Sequence, residues 1–189
     1  MDEQLTDTQR NQLLTAARRS IEFGLRLGEP LEIDPDNYSG RLREKRATFV
    51  TLLTRERDLR GCIGTLEPQR PLVSDVAHNA FSAASRDPRF PPITEAEYAH
   101  VSIQVSVLSL PEPIEADTEE ALLRQLRPGV DGLILEAGSR RATFLPSVWE
   151  SLPQPREFVS ALKRKAGIVA HTPEPLICWR YTTESFSDE

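Results

Sequence analysis

The sequence predicts an α+β fold, a curved and mostly antiparallel sheet flanked by helices. Three observations predict it. Apolar residues recur at helical spacing over 13–25 and 72–84, and strand-like runs occupy 47–66 and 101–110. A hairpin, a proline-bounded turn and an amphipathic helix follow one another twice, over 47–85 and 132–166. This recurrence suggests an internal hairpin–helix duplication, although identity between the halves is poor.

The elements follow in chain order. Thr6 and Gln9 form a capping box, and Leu13, Leu14, Ala17, Ile21 and Leu25 line one helix face. Gly28 suits the helix stop, and Pro30 blocks continuation. Residues 32–45 are polar and read as a long loop. The run 47–53 and the return 59–66, joined by the polar residues 55–58, read as a hairpin. Leu72 to Ala84 reads as a helix with Val73, Val76, Ala80 and Phe81 on its apolar face, ended by Asp87-Pro88. Thr94 and Glu97 form a second capping box. Val101, Ile103, Val105 and Val107 alternate with Ser102, Gln104 and Ser106, the pattern of a half-buried strand. A helix at 122–126, a hairpin over 133–145, a helix from Pro155 to Ala166 stopped by Gly167, and a last strand at 176–181 complete the reading. Trp149 and Trp179 are expected in the core.

The chain of 189 residues is expected to form a single domain over 1–189, since about 70% of the unfolded surface of such a chain can be buried. The net charge of −6 repels phosphate backbones and anionic membranes, so nucleic-acid binding is not expected as the main activity. The two cysteines, Cys62 and Cys178, have no metal-ligand or redox-motif spacing. The start lacks a basic and apolar leader, and no apolar run is long enough to span a membrane. A reducing cytoplasm is the expected compartment, with no cofactor.

The chemistry concentrates at Leu59-Arg60-Gly61-Cys62-Ile63-Gly64. Strand alternation puts Leu59 and Ile63 on one face and Arg60 and Cys62 on the other. A cation beside Cys62 favours the thiolate, the form that acts as a nucleophile. Gly61 and Gly64 leave room for a ligand or for another backbone to approach. The competing reading is an inert, buried cysteine with glycines marking a bulge. His78, His100 and His171 are the available bases, and none has a local triad pattern. Arg86-Asp87-Pro88-Arg89-Phe90 reads either as an anion clamp, with Asp87 and Arg89 among the ligand-binding candidates, or as a structural turn.

LRGCIGTLEP at 59–68, DPRFPPITEAE at 87–97, SVLSLPEPI at 106–114, GVDGLILE at 129–136, ATFLPSVWE at 142–150 and KAGI at 165–168 carry a resemblance. In their order and spacing they resemble the AmmeMemoRadiSam system protein A family, the AMMECR-type domain, over about residues 13–186. The resemblance implies a two-lobed fold, with a larger lobe from both chain ends and a smaller one from the middle. It implies that LRGCIG, here Leu59 to Gly64, is an active or binding site. It also implies a modification pathway shared with a Memo-like protein and a radical S-adenosylmethionine protein. IVAHTPEP at 168–175 departs from the tryptophan-containing stretch of the family. The expected function is a cysteine-centred enzyme or carrier, with Cys62 as nucleophile, Arg60 assisting and Arg89 a second anchor. The alternative is a non-catalytic protein- or ligand-binding module that uses the LRGCIG and DPRF surface. An RNA-binding adaptor fits the acidic balance poorly.

Overall fold

The computed structural model describes residues 4–169 and 175–188. Among these lie five α-helices and eight strands, in the order α1 (Asp7–Leu27), β1 (Thr48–Leu53), β2 (Leu59–Gly64), α2 (Leu72–Ser85), α3 (Glu95–Tyr98), β3 (Ser102–Leu108), β4 (Glu112–Pro113), α4 (Glu119–Gln125), β5 (Gly132–Ala137), β6 (Arg140–Phe144), α5 (Pro155–Ala166), β7 (Ile177–Tyr181) and β8 (Thr183–Ser187). The fold is α+β, and its strands divide between two four-stranded sheets, ordered β2-β1-β3-β8 and β4-β7-β5-β6. No described helix is long and apolar enough to cross a membrane.

The chain separates into two compact units, Met1–Leu108 with Glu184–Glu189, and Ser109–Thr183. In the first, α1 begins at the Thr6–Gln9 capping box and ends at Gly28, whose φ of 77° is the left-handed conformation glycine tolerates. Strand β1 alternates between buried and half-buried residues. Val50 and Leu52 join the core with Leu13, Ile21, Val76, Ala80, Ile103 and Val105, so this sheet face packs on α1 and α2. Thr51 therefore points to the opposite face.

Strand β2 is an edge strand, antiparallel to β1. The register runs Thr51 to Cys62 and Leu52 to Gly61, but Leu53 then pairs with Leu59. Arg60 is the extra residue of a β-bulge, where the ladder breaks and the strand bends.

In the second unit, β5 and β6 pack against α5 around Leu133, Leu135, Phe158, Val159 and Leu162. Trp149 stacks on Phe158 with ring centroids 3.7 Å apart and donates to the Asp131 carbonyl at 2.7 Å. Trp179 is only half-buried, because alternation along β7 turns it to the sheet face opposite Cys178, which joins the core of this unit. Each unit thus carries a hairpin and a later helix, β1–β2 with α2 and β5–β6 with α5.

Candidate functional site

Cys62 is half-buried, and its free thiol lies on the sheet face away from α1 and α2. The neighbouring Gly61 fixes that direction, because a Cβ on Gly61 would lie 2.2 Å from the Ala83 carbonyl oxygen of α2. Directly across the ladder, the Thr51 hydroxyl donates to Cys62 Sγ at 3.2 Å.

The main chain of Cys62 is held from the open edge of the sheet. Its N–H donates to Asp87 Oδ2 at 2.8 Å, and its carbonyl accepts from Arg89 Nη2 at 3.2 Å. Asp87 and Arg89 close the ring between themselves. Asp87 Oδ1 accepts from Arg89 Nε at 2.9 Å, and Oδ2 accepts from Nη2 at 2.7 Å, a two-pronged carboxylate–guanidinium pair. Asp87 Oδ1 also accepts the Arg89 backbone N–H at 3.1 Å. The turn after α2 thereby satisfies an N–H and a C=O that an edge strand otherwise leaves unpaired.

The Arg89 hydrogen bonds, and then the Cys62 amide, hold the Asp87 carboxyl well below the usual carboxylate range against the opposing effect of burial. Arg89 is shifted upward, first by its bond to Asp87, with further contributions from the charges of Asp87 and Cys62. The cation bonded to the Cys62 main chain is Arg89.

Arg60 is placed differently from the expectation. The bulge breaks the alternation that would have put it beside Cys62, and its guanidinium is buried elsewhere. Its Nε donates to Glu97 Oε1 at 2.9 Å, and Nη2 donates to the Pro91 carbonyl at 3.1 Å. The Arg60 bond, followed by those from Thr94, lowers Glu97 to about 2. Phe90 links the two arginines, with its ring centroid 5.7 Å from the Arg60 guanidinium and 5.6 Å from that of Arg89. Leu59, expected to share a face with Ile63, precedes the bulge and is 40% exposed.

Both strand glycines face protein at close range. A Cβ on Gly64 would meet the Phe49 ring at 2.3 Å and the Thr48 carbonyl at 2.5 Å. The approaching group at each is therefore chain, the second of the two uses foreseen for them.

No histidine hydrogen-bonds to Cys62 among the described residues. His78 sits on α2, its pKa lowered by burial and then by Arg70. His100 Nδ1 lies 2.6 Å from Arg55 Nη2. His171 falls outside the described residues. No three His, Cys, Asp or Glu side chains gather as a metal site among those residues.

Two participants were missed from sequence, Thr51 and Asp75. Asp75 is fully buried, and its Oδ2 accepts from Thr48 N, Thr48 Oγ1, Thr65 Oγ1 and Asn79 Nδ2 at 2.7–3.1 Å. Burial raises its pKa against these bonds. It pins the ends of β1 and β2 to α2, on the helix side of the sheet. An aspartate inside an otherwise apolar helix face was the available signal.

The AMMECR1 family model matches residues 14–186. A protein of Methanothermobacter thermautotrophicus is 37% identical over 185 residues, covering 94% of this chain and 93% of that one. A protein of Thermofilum pendens is 41% identical over 170 residues, covering 82% and 78%. Among solved structures, the uncharacterized protein PH0010 from Pyrococcus horikoshii is similar at a TM-score of 0.82 and 37% identity, covering 94% of this chain and 90% of its own.

Proposed function

The chain belongs to the AMMECR1 family, and on that premise we propose that it is a cysteine-centred carrier or enzyme in which Cys62 takes up a chemical group. The observation that supports this reading is the Asp87–Arg89 ring. It commits a buried carboxylate, paired with a half-exposed guanidinium, to the main chain of one cysteine while the thiol stays half-buried beside a hydroxyl donor. Such a thiol is held in one place without being sealed off, the condition a nucleophile needs.

In the step itself, Cys62 sulfur forms a bond to an electrophilic carbon. The leaving group departs with the bonding electrons, and the thiol proton passes to solvent. Arg89 is the nearby cation for an anionic portion of that group. Arg60 acts as a positioning residue through Glu97 and Phe90. The setting is the AmmeMemoRadiSam system, as its protein A, in the cytoplasm. A Memo-like protein and a radical S-adenosylmethionine protein are the partners in the group's supply or use.

One observation favours a second reading. Among the described residues no histidine or carboxylate side chain bonds to the Cys62 sulfur, which suits a non-catalytic binding module using the LRGCIG and DPRF surface. Co-expression with a Memo-like and a radical S-adenosylmethionine protein, followed by mass mapping of the peptide that carries Cys62, separates the two. The carrier reading expects a thiol-linked mass increment that requires the partners and is lost in Cys62→Ser. Unmodified Cys62, with association kept in Cys62→Ser and lost in Arg89→Glu, supports the binding module instead.

A further inference from the structure

The turn between β1 and β2 and the segment from α3 to Val101 enclose an open cleft of about 350 Å³. Its wall combines Val101 with Arg55, Glu56, Arg60, Glu97 and His100. Three features of that wall point to a ligand.

The first is Arg60. Its Nε and Nη2 are used, but Nη1 is buried with no hydrogen-bond acceptor among the described residues. The side chain is only 10% exposed, so a cationic donor is held out of water without a partner. Such a group is unfavourable until an acceptor arrives.

The second is Arg55, which has no carboxylate partner among the described residues and instead contacts His100 Nδ1 at 2.6 Å. Arginine stays protonated, so Nδ1 must accept and the imidazole proton sits on Nε2. Arg55 and His100 thus offer an uncompensated positive charge and a second donor on one rim. The third is Glu97, whose carboxylate is already taken by Arg60 and by the Thr94 N–H and hydroxyl. Glu56 alone opposes an anion here.

We infer that this cleft binds a small carboxylic acid with a compact apolar body, its carboxylate on Arg55 and His100 and its apolar part toward Val101. This goes beyond the Cys62 chemistry and does not depend on it. A guanidinium matches a planar carboxylate by two parallel bonds.

Titration of the full chain with benzoate, followed by the His100 imidazole resonances and the backbone amides of 54–60 and 95–101, tests the inference. Saturable shifts at both groups are expected, with none from the neutral isostere benzamide. Arg55→Gln, an exposed turn substitution, should weaken binding about tenfold, the scale of one lost charge-assisted pair. Glu56→Gln should tighten it by removing the opposing charge. Inorganic phosphate, lacking the apolar ring, should bind more weakly than benzoate. Absence of saturable shifts, an equal response to benzamide, phosphate binding as tight as benzoate, or an affinity unchanged in Arg55→Gln would each overturn the inference.

Discussion

Asp87 holds Cys62 by its main chain rather than by its sulfur: Asp87 Oδ2 accepts the Cys62 N–H at 2.8 Å. Asp87 is 4% exposed, so the bond is shielded from water, and the same carboxylate grips Arg89. The DPRF turn and the LRGCIG strand form one unit through this residue.

Asp87→Asn should therefore destabilise the fold by about 2 kcal/mol, the range for hydrogen bonds to a buried charge. Arg89→Gln should cost less, because the Arg89 side chain is 53% exposed. Denaturant unfolding measures both. Hydrogen exchange at the Cys62 amide should accelerate in Asp87→Asn beyond the change in its neighbours.

Gly61→Ala should destabilise by about 3 kcal/mol, the upper range for overpacking, because the new methyl meets a helix carbonyl that cannot rotate away. Gly64→Ala meets the Phe49 ring, which can turn, but also the Thr48 carbonyl. Thermal unfolding should rank Gly61→Ala as the more damaging, and the reverse order would contradict the packing described.

The acid side of the stability curve follows from two carboxylates. Asp87 and Glu97 have folded pKa values below their ordinary values of 3.8 and 4.5. Their contribution is fully present above those ordinary values. It is lost as pH falls, through about 2 for Glu97 and lower still for Asp87. Asp75, raised by burial, works in the opposite direction, favouring the folded chain as it takes up a proton. Unfolding measured from pH 5 downward should show a net loss that is smaller in Asp87→Asn than in the parent.

Thr51→Val should leave the strand intact, since valine suits a sheet as well as threonine. It removes the side-chain donor that Cys62 sulfur has among the described residues. The alkylation rate of Cys62 should fall about fivefold, equivalent to one ordinary hydrogen bond of about 1 kcal/mol. An unchanged rate would leave Thr51 with a packing role only.

The helices were legible because their caps and periods are local. Thr6 with Gln9, Thr94 with Glu97, and Gly167 after α5 all appear where the sequence places them. The alternation of Ile103, Val105 and Val107 in β3 is equally direct. The division into two sheets was not legible, and neither was β8, whose half-buried Thr183–Ser187 carries little apolar signal.

In the site, Cys62, Asp87 and Arg89 were all legible as candidates, but their connection was not. Counting back from the Leu53–Leu59 pair would place Thr51 opposite Gly61, and the Arg60 bulge moves it to Cys62. One inserted residue thus changed which side chain faces the sulfur and sent the expected cation to Glu97. Asp75 escaped notice because its partners Thr48, Thr65 and Asn79 are brought together only by the fold.

A carrier or enzyme built on Cys62 requires that the folded chain present its thiol. The direct measurement is its iodoacetamide alkylation rate, folded and in denaturant, read by peptide mass spectrometry with Cys178 as internal control. Cys178 is 5% exposed, and burial pushes its thiol up to about 11, so it should react only on unfolding. Folded Cys62 is expected to react at least as fast as in the unfolded chain. A folded rate suppressed as strongly as that of Cys178 would contradict it, leaving Cys62 a structural cysteine.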